Sequence, residues 1–263
     1  MNSFHAHVFW IQAFDSVIRV ECPGSKILEI FNRYLFPPLP RIEPAASADL
    51  IVHAEEAPNE IRVLLNQELI ASTVTAEDAA LATVKALDDA VVHQLKDLFA
   101  IHAGAVLIDG RALLLPGSTH AGKSSFVAEL LRRGANCLSD EYALIDSEGR
   151  VHAYPRPLLL RNGQPKQSLV LPEDLNSSYA TQAVPVGWIF ATDFEFGGEW
   201  DIRAISQSEA VMLLLRNTPH EMAQSPKIID YFQRVAAHAA CYEGCRGEVG
   251  EAASRLLERV HRK

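Results

Sequence analysis

Residues 117–124 read Gly-Ser-Thr-His-Ala-Gly-Lys-Ser, and this motif is the strongest indication of how the second half of the chain folds. It matches the pattern G-x-x-x-x-G-K-[ST] without a gap, directly after the apolar run Arg111–Leu115 and at the start of a helical pattern over 123–133. Glycines in such a loop let successive backbone N–H groups surround an anion, and the following helix points its positive end at the same place. The alternative is a structural turn with an incidental lysine, but the strand–loop–helix context favours a phosphate-binding loop.

This loop predicts that the chain binds a nucleoside triphosphate, taken here as ATP, together with Mg²⁺. Lys123 can reach the β- and γ-phosphates, and the Ser124 hydroxyl can ligate Mg²⁺. His120 has a second interpretation, as the occupant of a variable loop position. The residues predicted to hold the nucleotide are Gly117, Ser118, Thr119, His120, Ala121, Gly122, Lys123, Ser124 and Ser125.

An acidic pair, Asp140-Glu141, follows the short apolar stretch Cys137-Leu138. Only 16 residues separate Ser124 from Asp140, which is just enough for one helix and one strand. We therefore expect Asp140 at the carboxyl end of the next strand in sequence, beside the phosphate loop, where it can hold Mg²⁺ through water or accept a proton from an attacking hydroxyl. An acidic turn without a function is the alternative.

Three other side chains are weaker candidates. His102 lies on the predicted strand Ile101–Ile108, and a hairpin through Asp109-Gly110 could bring it near the phosphates, although a lone histidine is more often structural. Arg156 and Arg161 could contact phosphate or substrate, with a surface role as the alternative.

The pattern of charges and turns divides the chain into a small acidic α/β domain over residues 1–95 and a catalytic domain over residues 96–263. Residues 1–95 have six basic and thirteen acidic side chains, and residues 96–263 have 18 basic and 20 acidic side chains. The net charge of the whole chain is −9, and most of it belongs to the first domain. Hairpin signals on both sides of the glycine-rich loop favour a mixed sheet in the second domain.

Local patterns predict the individual elements. The predicted strands are Val17–Val20, Asp49–Ala54, Ile61–Leu65, Ile101–Ile108, Arg111–Leu115, Asn136–Asp140, Tyr142–Asp146, Gly187–Ala191 and Ile202–Ile205. The predicted helices include a short one capped by Ser25, a long one capped by Thr75 with an apolar stripe reaching Leu95 and Leu98, and the segments Lys123–Arg133, Ser208–Arg216, Lys227–Ala239 and Val249–Val260.

Composition excludes several classes of protein. With 48% hydrophobic and 22% charged residues the chain is typical of globular proteins, so a disordered chain is excluded. The acidic charge and the lack of a Lys/Arg cluster argue against nucleic-acid binding, and no apolar stretch is long enough to predict a membrane span. The N-terminus lacks the features of a signal peptide. We expect a cytoplasmic protein whose scattered cysteines are reduced: Cys22, Cys137, Cys241 and Cys245.

About 40 residues, from His102 to the acidic pair, resemble the catalytic domain of the HPr serine kinase/phosphorylase family. That family has a histidine on the strand before a phosphate-binding loop, a helix ending in basic-basic-Gly, and an acidic pair after the next strand. The matching residues here are His102, Gly117–Ser125, Arg132-Arg133-Gly134 and Asp140. The resemblance implies an α/β fold in which a mixed-sheet P-loop kinase domain, akin to phosphoenolpyruvate carboxykinase, follows a small N-terminal α/β domain.

The resemblance also implies an activity, the transfer of the γ-phosphoryl group of ATP to a hydroxyl. Asp140 would be the general base and, with Ser124, a ligand of Mg²⁺. His102 would be an auxiliary catalytic residue near the phosphates, and Glu141 the accompanying acid. The acceptor would be a protein, a peptide or a small molecule, with serine as the expected acceptor residue, and the enzyme would form a homo-oligomer.

The chain also departs from the family pattern. Where the family has two adjacent aspartates, this chain has Ser139-Asp140 followed by Glu141, and Ser125 occupies a position that is commonly acidic in the bifunctional enzymes. The Arg-Gly-rich signature has no counterpart, the nearest stretch being residues 155–161. The chain therefore looks more like the diverged kinases of the group than like enzymes with phosphorylase activity. Two other hypotheses stay open: a nucleotide-binding regulatory module or slow NTPase without a phosphoryl acceptor, and a structural protein with an inactive site.

Overall fold

The computed structural model of the chain describes residues 7–117, 121–161 and 163–261, and these form two compact units. Unit 1 contains the chain up to Lys96 together with two later segments, residues 155–157 and 166–169. Unit 2 contains the remainder, beginning at Asp97. The early boundary lies next to residue 95, whereas the two later segments come from the half of the sequence assigned to the catalytic domain.

Unit 1 is a six-stranded sheet covered by two helices. Its elements are β1 (His7–Ala13), β2 (Ser16–Cys22), α1 (Ser25–Tyr34), β3 (Arg41–Ile42), β4 (Leu50–Ala57), β5 (Glu60–Leu65), β6 (Glu68–Thr73) and α2 (Ala76–His93). The strand order is β3-β1-β2-β4-β5-β6, and only β2 and β4 are parallel. Every second residue of β2 is buried, as expected for a strand with one face under packed helices.

The sequence predicted the helices of unit 1 better than its strands. Thr75 caps α2 by accepting a hydrogen bond from the N–H of Asp78, as predicted, but α2 ends at His93, so Leu95 and Leu98 lie beyond it. Gly24, not Ser25, occupies the N-cap of α1.

The observed strands of unit 1 differ from the predicted ones in extent and in number. Residues 55–59, which separate the predicted strands Asp49–Ala54 and Ile61–Leu65, are mostly strand, because β4 and β5 form a tight antiparallel hairpin that extends to Ala57 and Glu60. Strands β1 and β6 were not predicted at all.

Unit 2 contains the glycine-rich loop and the second sheet. Its strands are β7 (Phe99–Ile108), β8 (Arg111–Pro116), β9 (Asn136–Ser139), β10 (Tyr142–Ile145), β11 (Arg150–His152), β12 (Leu158–Leu160), β13 (Ser168–Val170, whose first two residues cluster with unit 1), β14 (Val184–Phe194), β15 (Asp201–Ala204) and β16 (Ala240–Arg246). Its helices are α3 (Lys123–Arg132), α4 (Gln207–Arg216), α5 (His220–Ala223), α6 (Ile228–His238) and α7 (Val249–His261), with a 3₁₀ turn at Pro172–Leu175.

The eight-stranded sheet of unit 2 is mixed, which confirms the prediction made from the hairpin signals. The order is β11-β10-β7-β8-β14-β16-β15, and β9 pairs with β7 beside β10. Strand β14 is parallel to β8 and β16, whereas the other pairs are antiparallel. The carboxyl ends of β8, β14 and β16 therefore meet at one edge of the sheet.

Both faces of this sheet are covered by helices, which gives three layers. On β14, Ile189 and Ala191 belong to the core with residues of α4 and α6, and Trp188 and Phe190 belong to the core with residues of α3 and α7. This alternation follows from the two-residue period of a strand. In the described part of the chain, no helix is long and apolar enough to cross a membrane.

Candidate phosphate-binding site

The glycine-rich loop connects the carboxyl end of β8 to the start of α3. Gly117, Ala121 and Gly122 are described, whereas the predicted nucleotide contacts Ser118, Thr119 and His120 lie outside the described residues. Gly122 has φ of +77°, a left-handed conformation that favours glycine, and it forms the N-cap of α3. Among the described residues no side chain caps this helix, so the first-turn N–H groups are suited to bind an anion.

A second glycine sets the distance between α3 and the sheet. A Cβ atom on Gly104 of β7 would lie 2.5 Å from Cγ2 of Val127, which is buried on α3. The absence of a side chain at position 104 therefore lets the helix approach the sheet closely and fixes where its N-terminus lies.

Lys123, the first residue of α3, lies over the loop. Its Nζ donates a hydrogen bond to the carbonyl oxygen of Gly117 at 2.8 Å. Burial lowers the pKa of Lys123, while the negative charges of Glu141 and Asp140 act in the opposite direction. The lysine is thus within electrostatic reach of both members of the acidic pair.

Strand β7 links the loop to the acidic pair. On one side Ala103 pairs with Pro116, the last residue of β8, and on the other its N–H donates to the carbonyl oxygen of Glu141 at 3.0 Å. The loop and the acidic pair therefore meet at the same level of the sheet. Asp140 directly follows β9, the next strand in sequence after β8, and β7 lies between β8 and β9 in the sheet.

The side chains of His102 and Glu141 are in hydrogen-bond contact at this level. Nε2 of His102 lies 2.6 Å from Oε1 of Glu141, and the two side chains are 24% and 33% exposed. His102 precedes Ala103, which the β7–β8 hairpin pairs with Pro116, so His102 lies near the start of the loop. A solvent-accessible histidine–carboxylate pair of this kind can accept or transfer a proton.

Asp140 has different surroundings. It follows the last residue of β9 and is fully buried, and its Oδ2 accepts a hydrogen bond from the N–H of Leu159 at 3.2 Å. The two adjacent carboxylates are therefore not equivalent, since Glu141 reaches solvent and Asp140 does not.

The predicted magnesium ligands are Ser124 and Asp140. Ser124 lies in the first turn of α3 and is half-buried, and Ser125 beside it is exposed. Within the described ranges no group of three or more His, Cys, Asp and Glu residues could hold a metal ion. A magnesium site that relies on two protein ligands and the phosphates of a substrate does not require such a group.

The two downstream arginines, Arg156 and Arg161, differ in their burial. Arg156 belongs to unit 1, where it is buried and its Nη2 lies 2.8 Å from Oδ2 of Asp88. A surface role does not fit that position, so this interpretation of Arg156 is wrong. Arg161 is exposed, as the surface interpretation expected.

A different arginine, missed by the sequence analysis, contacts the loop. Arg246, the last residue of β16, is 2% exposed. Its Nη2 donates to the carbonyl oxygens of Ala121 at 3.3 Å and Gly122 at 3.1 Å. The residue was overlooked because β16 was not predicted. Its sequence, Ala-Cys-Tyr-Glu-Gly-Cys-Arg, has no regular alternation of apolar and polar residues, so only its pairing with β14 and β15 identifies it as a strand.

Comparison with known proteins identifies no family for this chain. No protein-family model and no curated protein matches the sequence. Among solved structures, a similar chain is the HPr(Ser) kinase/phosphatase from Coxiella burnetii, with 14% sequence identity and a TM-score of 0.34. The alignment covers 62% of this chain and 95% of that chain. The similarity is distant.

Proposed function

We propose that this protein is an ATP- and Mg²⁺-dependent kinase that transfers a phosphoryl group to a hydroxyl, with serine in a protein or peptide as the expected acceptor. One observation carries the proposal: Lys123, at the start of the helix after the glycine-rich loop, lies within electrostatic reach of Glu141 and Asp140, and Glu141 is paired with His102. Phosphoryl transfer needs a cationic phosphate cradle beside an acid that orients or deprotonates the acceptor.

The residues of the loop fit a triphosphate. Gly122 adopts the left-handed conformation that such a loop requires, and the first turn of α3 has no capping side chain among the described residues. Lys123 would leave the Gly117 carbonyl to bind phosphate oxygens, and Ser124 would hold Mg²⁺ with Asp140 as the second predicted ligand. Bound ATP and Mg²⁺ would supply the transferable phosphoryl group and neutralise its charge.

Exposure favours Glu141 over Asp140 as the carboxylate that accepts the proton of the attacking hydroxyl. An acceptor can approach Glu141, whose side chain is one-third exposed, whereas Asp140 has no exposed surface. His102 would orient Glu141 through their 2.6 Å contact. Asp140, the base implied by the sequence resemblance, would instead provide a negative charge that holds Lys123 and the metal in place.

A second function is favoured by a specific observation. In the described conformation Lys123 is bonded to the Gly117 carbonyl and Asp140 is buried, so neither group is presented to an acceptor. A nucleotide-binding regulatory module, or a slow NTPase without a phosphoryl acceptor, would need no more than this arrangement.

One experiment separates the two functions. The purified protein is incubated with γ-labelled ATP, Mg²⁺ and a lysate of its own source, and labelled products are identified, with Lys123→Ala as the matched inactive control. A labelled protein, peptide or metabolite that depends on Lys123 supports the kinase. Release of labelled phosphate at the same rate with and without lysate, and no labelled acceptor, contradicts the kinase and supports the slow NTPase.

A further inference from the structure

Arg246 holds a position that neither the resemblance nor the proposed reaction explains. It ends β16 at the edge of the sheet where β8 and β14 also end, and it is almost completely buried. Its guanidinium bonds two successive carbonyls of the loop, those of Ala121 and Gly122, and also the carbonyl of Gly247 at 3.2 Å. All three bonds go to main-chain oxygens.

These bonds help to fix how the two peptide groups at the end of the loop are oriented. The Gly122 carbonyl also accepts the N–H of Phe126, at 3.1 Å, in the first turn of α3. In a trans peptide the C=O and the N–H point in opposite directions. The carbonyls of Ala121 and Gly122 face Arg246, so the N–H groups of Gly122 and Lys123 point away from it. Hydrogen bonding to a cation also polarises a peptide group, which makes its N–H a stronger donor.

The guanidinium is held tightly in this position. Its central carbon lies 4.8 Å from the ring centre of Phe126 on α3 and 5.5 Å from that of Phe194 at the end of β14. A Cβ atom on Gly122 would come within 2.5 Å of Nη2, so the approach of the arginine requires glycine at position 122. Both the left-handed backbone at position 122 and the contact with Arg246 therefore favour glycine at that position.

The charge of Arg246 is only partly balanced by nearby negative charge. Within the described ranges no acidic side chain forms an ion pair with Arg246, and its buried Nε has no hydrogen-bond partner. Burial lowers the pKa of the guanidinium, although the negative charge of Glu248 partly opposes this. A buried cation whose charge is only partly balanced is costly, and an anion bound in the loop would compensate it.

We propose that Arg246 is the positioning residue of the loop: it turns the N–H groups of Gly122 and Lys123 toward a bound polyphosphate and adds a buried positive charge behind them. This inference rests on the proposed function, in which the loop binds a triphosphate. It adds a residue from the far end of the chain to a site otherwise built by residues 102–141.

The test compares four proteins: the wild type, Arg246→Lys, Arg246→Met and Arg259→Met. Arg259 is the matched control, because its guanidinium also lies over an aromatic ring, 4.9 Å from Tyr242, but bonds no loop carbonyl. Calorimetry with Mg²⁺ measures the affinity of each for ATP and for inorganic tripolyphosphate. Thermal unfolding without ligand, amide proton shifts of Gly122 and Lys123, and phosphoryl transfer are measured on the same samples.

We expect Arg246→Met to bind ATP and tripolyphosphate at least about tenfold more weakly than the wild type. Arg246→Lys keeps the charge but loses the planar fork that bonds the loop carbonyls through Nη2 and the Gly247 carbonyl through Nη1. We therefore expect an intermediate loss of affinity, shifted amide protons at Gly122 and Lys123, and a nearly unchanged unfolding temperature. Arg259→Met should bind like the wild type. If Arg246→Met does not fold, Arg246→Lys provides the test.

The possible failures are distinguishable. Wild-type affinity in Arg246→Lys, with unshifted amide protons, overturns the role of Arg246 even if the wild type transfers phosphoryl groups. A wild type that binds both ligands but never transfers a phosphoryl group overturns the kinase and leaves the affinity comparison to decide on Arg246. A wild type that binds neither ligand overturns both.

Discussion

Two carboxylates that are neighbours in sequence, Asp140 and Glu141, have opposite surroundings. Asp140 is fully buried and accepts a hydrogen bond from the N–H of Leu159, whereas Glu141 is partly exposed and contacts His102. Since a general base must come within hydrogen-bond distance of the acceptor hydroxyl, this difference assigns them different roles.

We predict that Glu141→Gln slows phosphoryl transfer by at least about 100-fold, because the amide cannot accept the proton. Asp140→Asn should reduce transfer less, since the amide oxygen can still accept the Leu159 N–H. Single-turnover transfer from γ-labelled ATP measures both, and ATP affinity measured on the same proteins is the control. A larger loss in Asp140→Asn than in Glu141→Gln would return the role of base to Asp140.

A second prediction concerns the close contact between β7 and α3. We expect Gly104→Ala to lower the free energy of unfolding by about 1–3 kcal/mol, because its Cβ would lie 2.5 Å from Cγ2 of Val127. The double variant Gly104→Ala/Val127→Ala should lose less than the sum of the two single variants, since the second change provides the missing space. Urea unfolding of all four proteins measures this coupling, and strict additivity would contradict it.

Helix α4 begins with a reciprocal capping arrangement between Ser206 and Glu209. Ser206 accepts the N–H of Glu209 at 3.2 Å, and Glu209 in turn accepts the Ser206 N–H at 2.8 Å and its hydroxyl at 2.9 Å. The pKa of Glu209 is lowered to about 2 by hydrogen bonds from the Ser206 N–H, the Ser206 hydroxyl and the Arg203 side chain. Because this pKa is lower in the folded than in the unfolded chain, the ionised carboxylate stabilises the folded state.

This arrangement predicts a pH dependence. The stabilisation by Glu209 is complete above the pKa of an unfolded glutamate, about 4.3, and is lost as the pH falls toward 2. The difference in unfolding free energy between the wild type and Glu209→Gln should therefore be largest near neutral pH and shrink below pH 5. Denaturant titrations at several pH values test this. A difference that grows on acidification would contradict the lowered pKa.

The helices and strands differ in how far local sequence patterns can predict them. Helix α3 and strand β8 carry their own signals, an apolar run, a glycine turn and a helical period, so they could be predicted locally. Strand β16 depends on its pairing with β14 and β15, and without it the contact of Arg246 with Gly122 could not be anticipated. The register that places the acidic pair beside β7 is also a tertiary property, so the sequence could not predict that β7 lies between the loop strand and β9.

For the whole molecule, the main feature is that unit 1 is not one continuous stretch of chain. Its buried ion pair joins Asp88 of α2 to Arg156, which comes from a segment some 60 residues after the end of α2, and the side chains are 5% and 1% exposed. Composition and charge could predict a small N-terminal unit, but they could not predict that a later segment completes it.

We predict that Arg156→Met lowers the free energy of unfolding by about 3–5 kcal/mol, because Asp88 then remains buried without this partner. The double variant Asp88→Leu/Arg156→Met should regain much of the loss, since it removes both buried charges. Urea unfolding followed by circular dichroism gives both values. Equal stability of the single and double variants would show that the pair is not the cause.

The discontinuity of unit 1 also matters for the order in which the protein is made. A ribosome adds about 5–20 residues per second, so the roughly 70 residues between Lys96 and the segment ending at Leu169 take about 4 to 15 s to appear. During that interval the growing chain carries the six strands and two helices of unit 1 while Arg156 is still to be supplied. The unit whose synthesis begins first is therefore completed late, and we expect the folding of the two units to overlap in time on the ribosome.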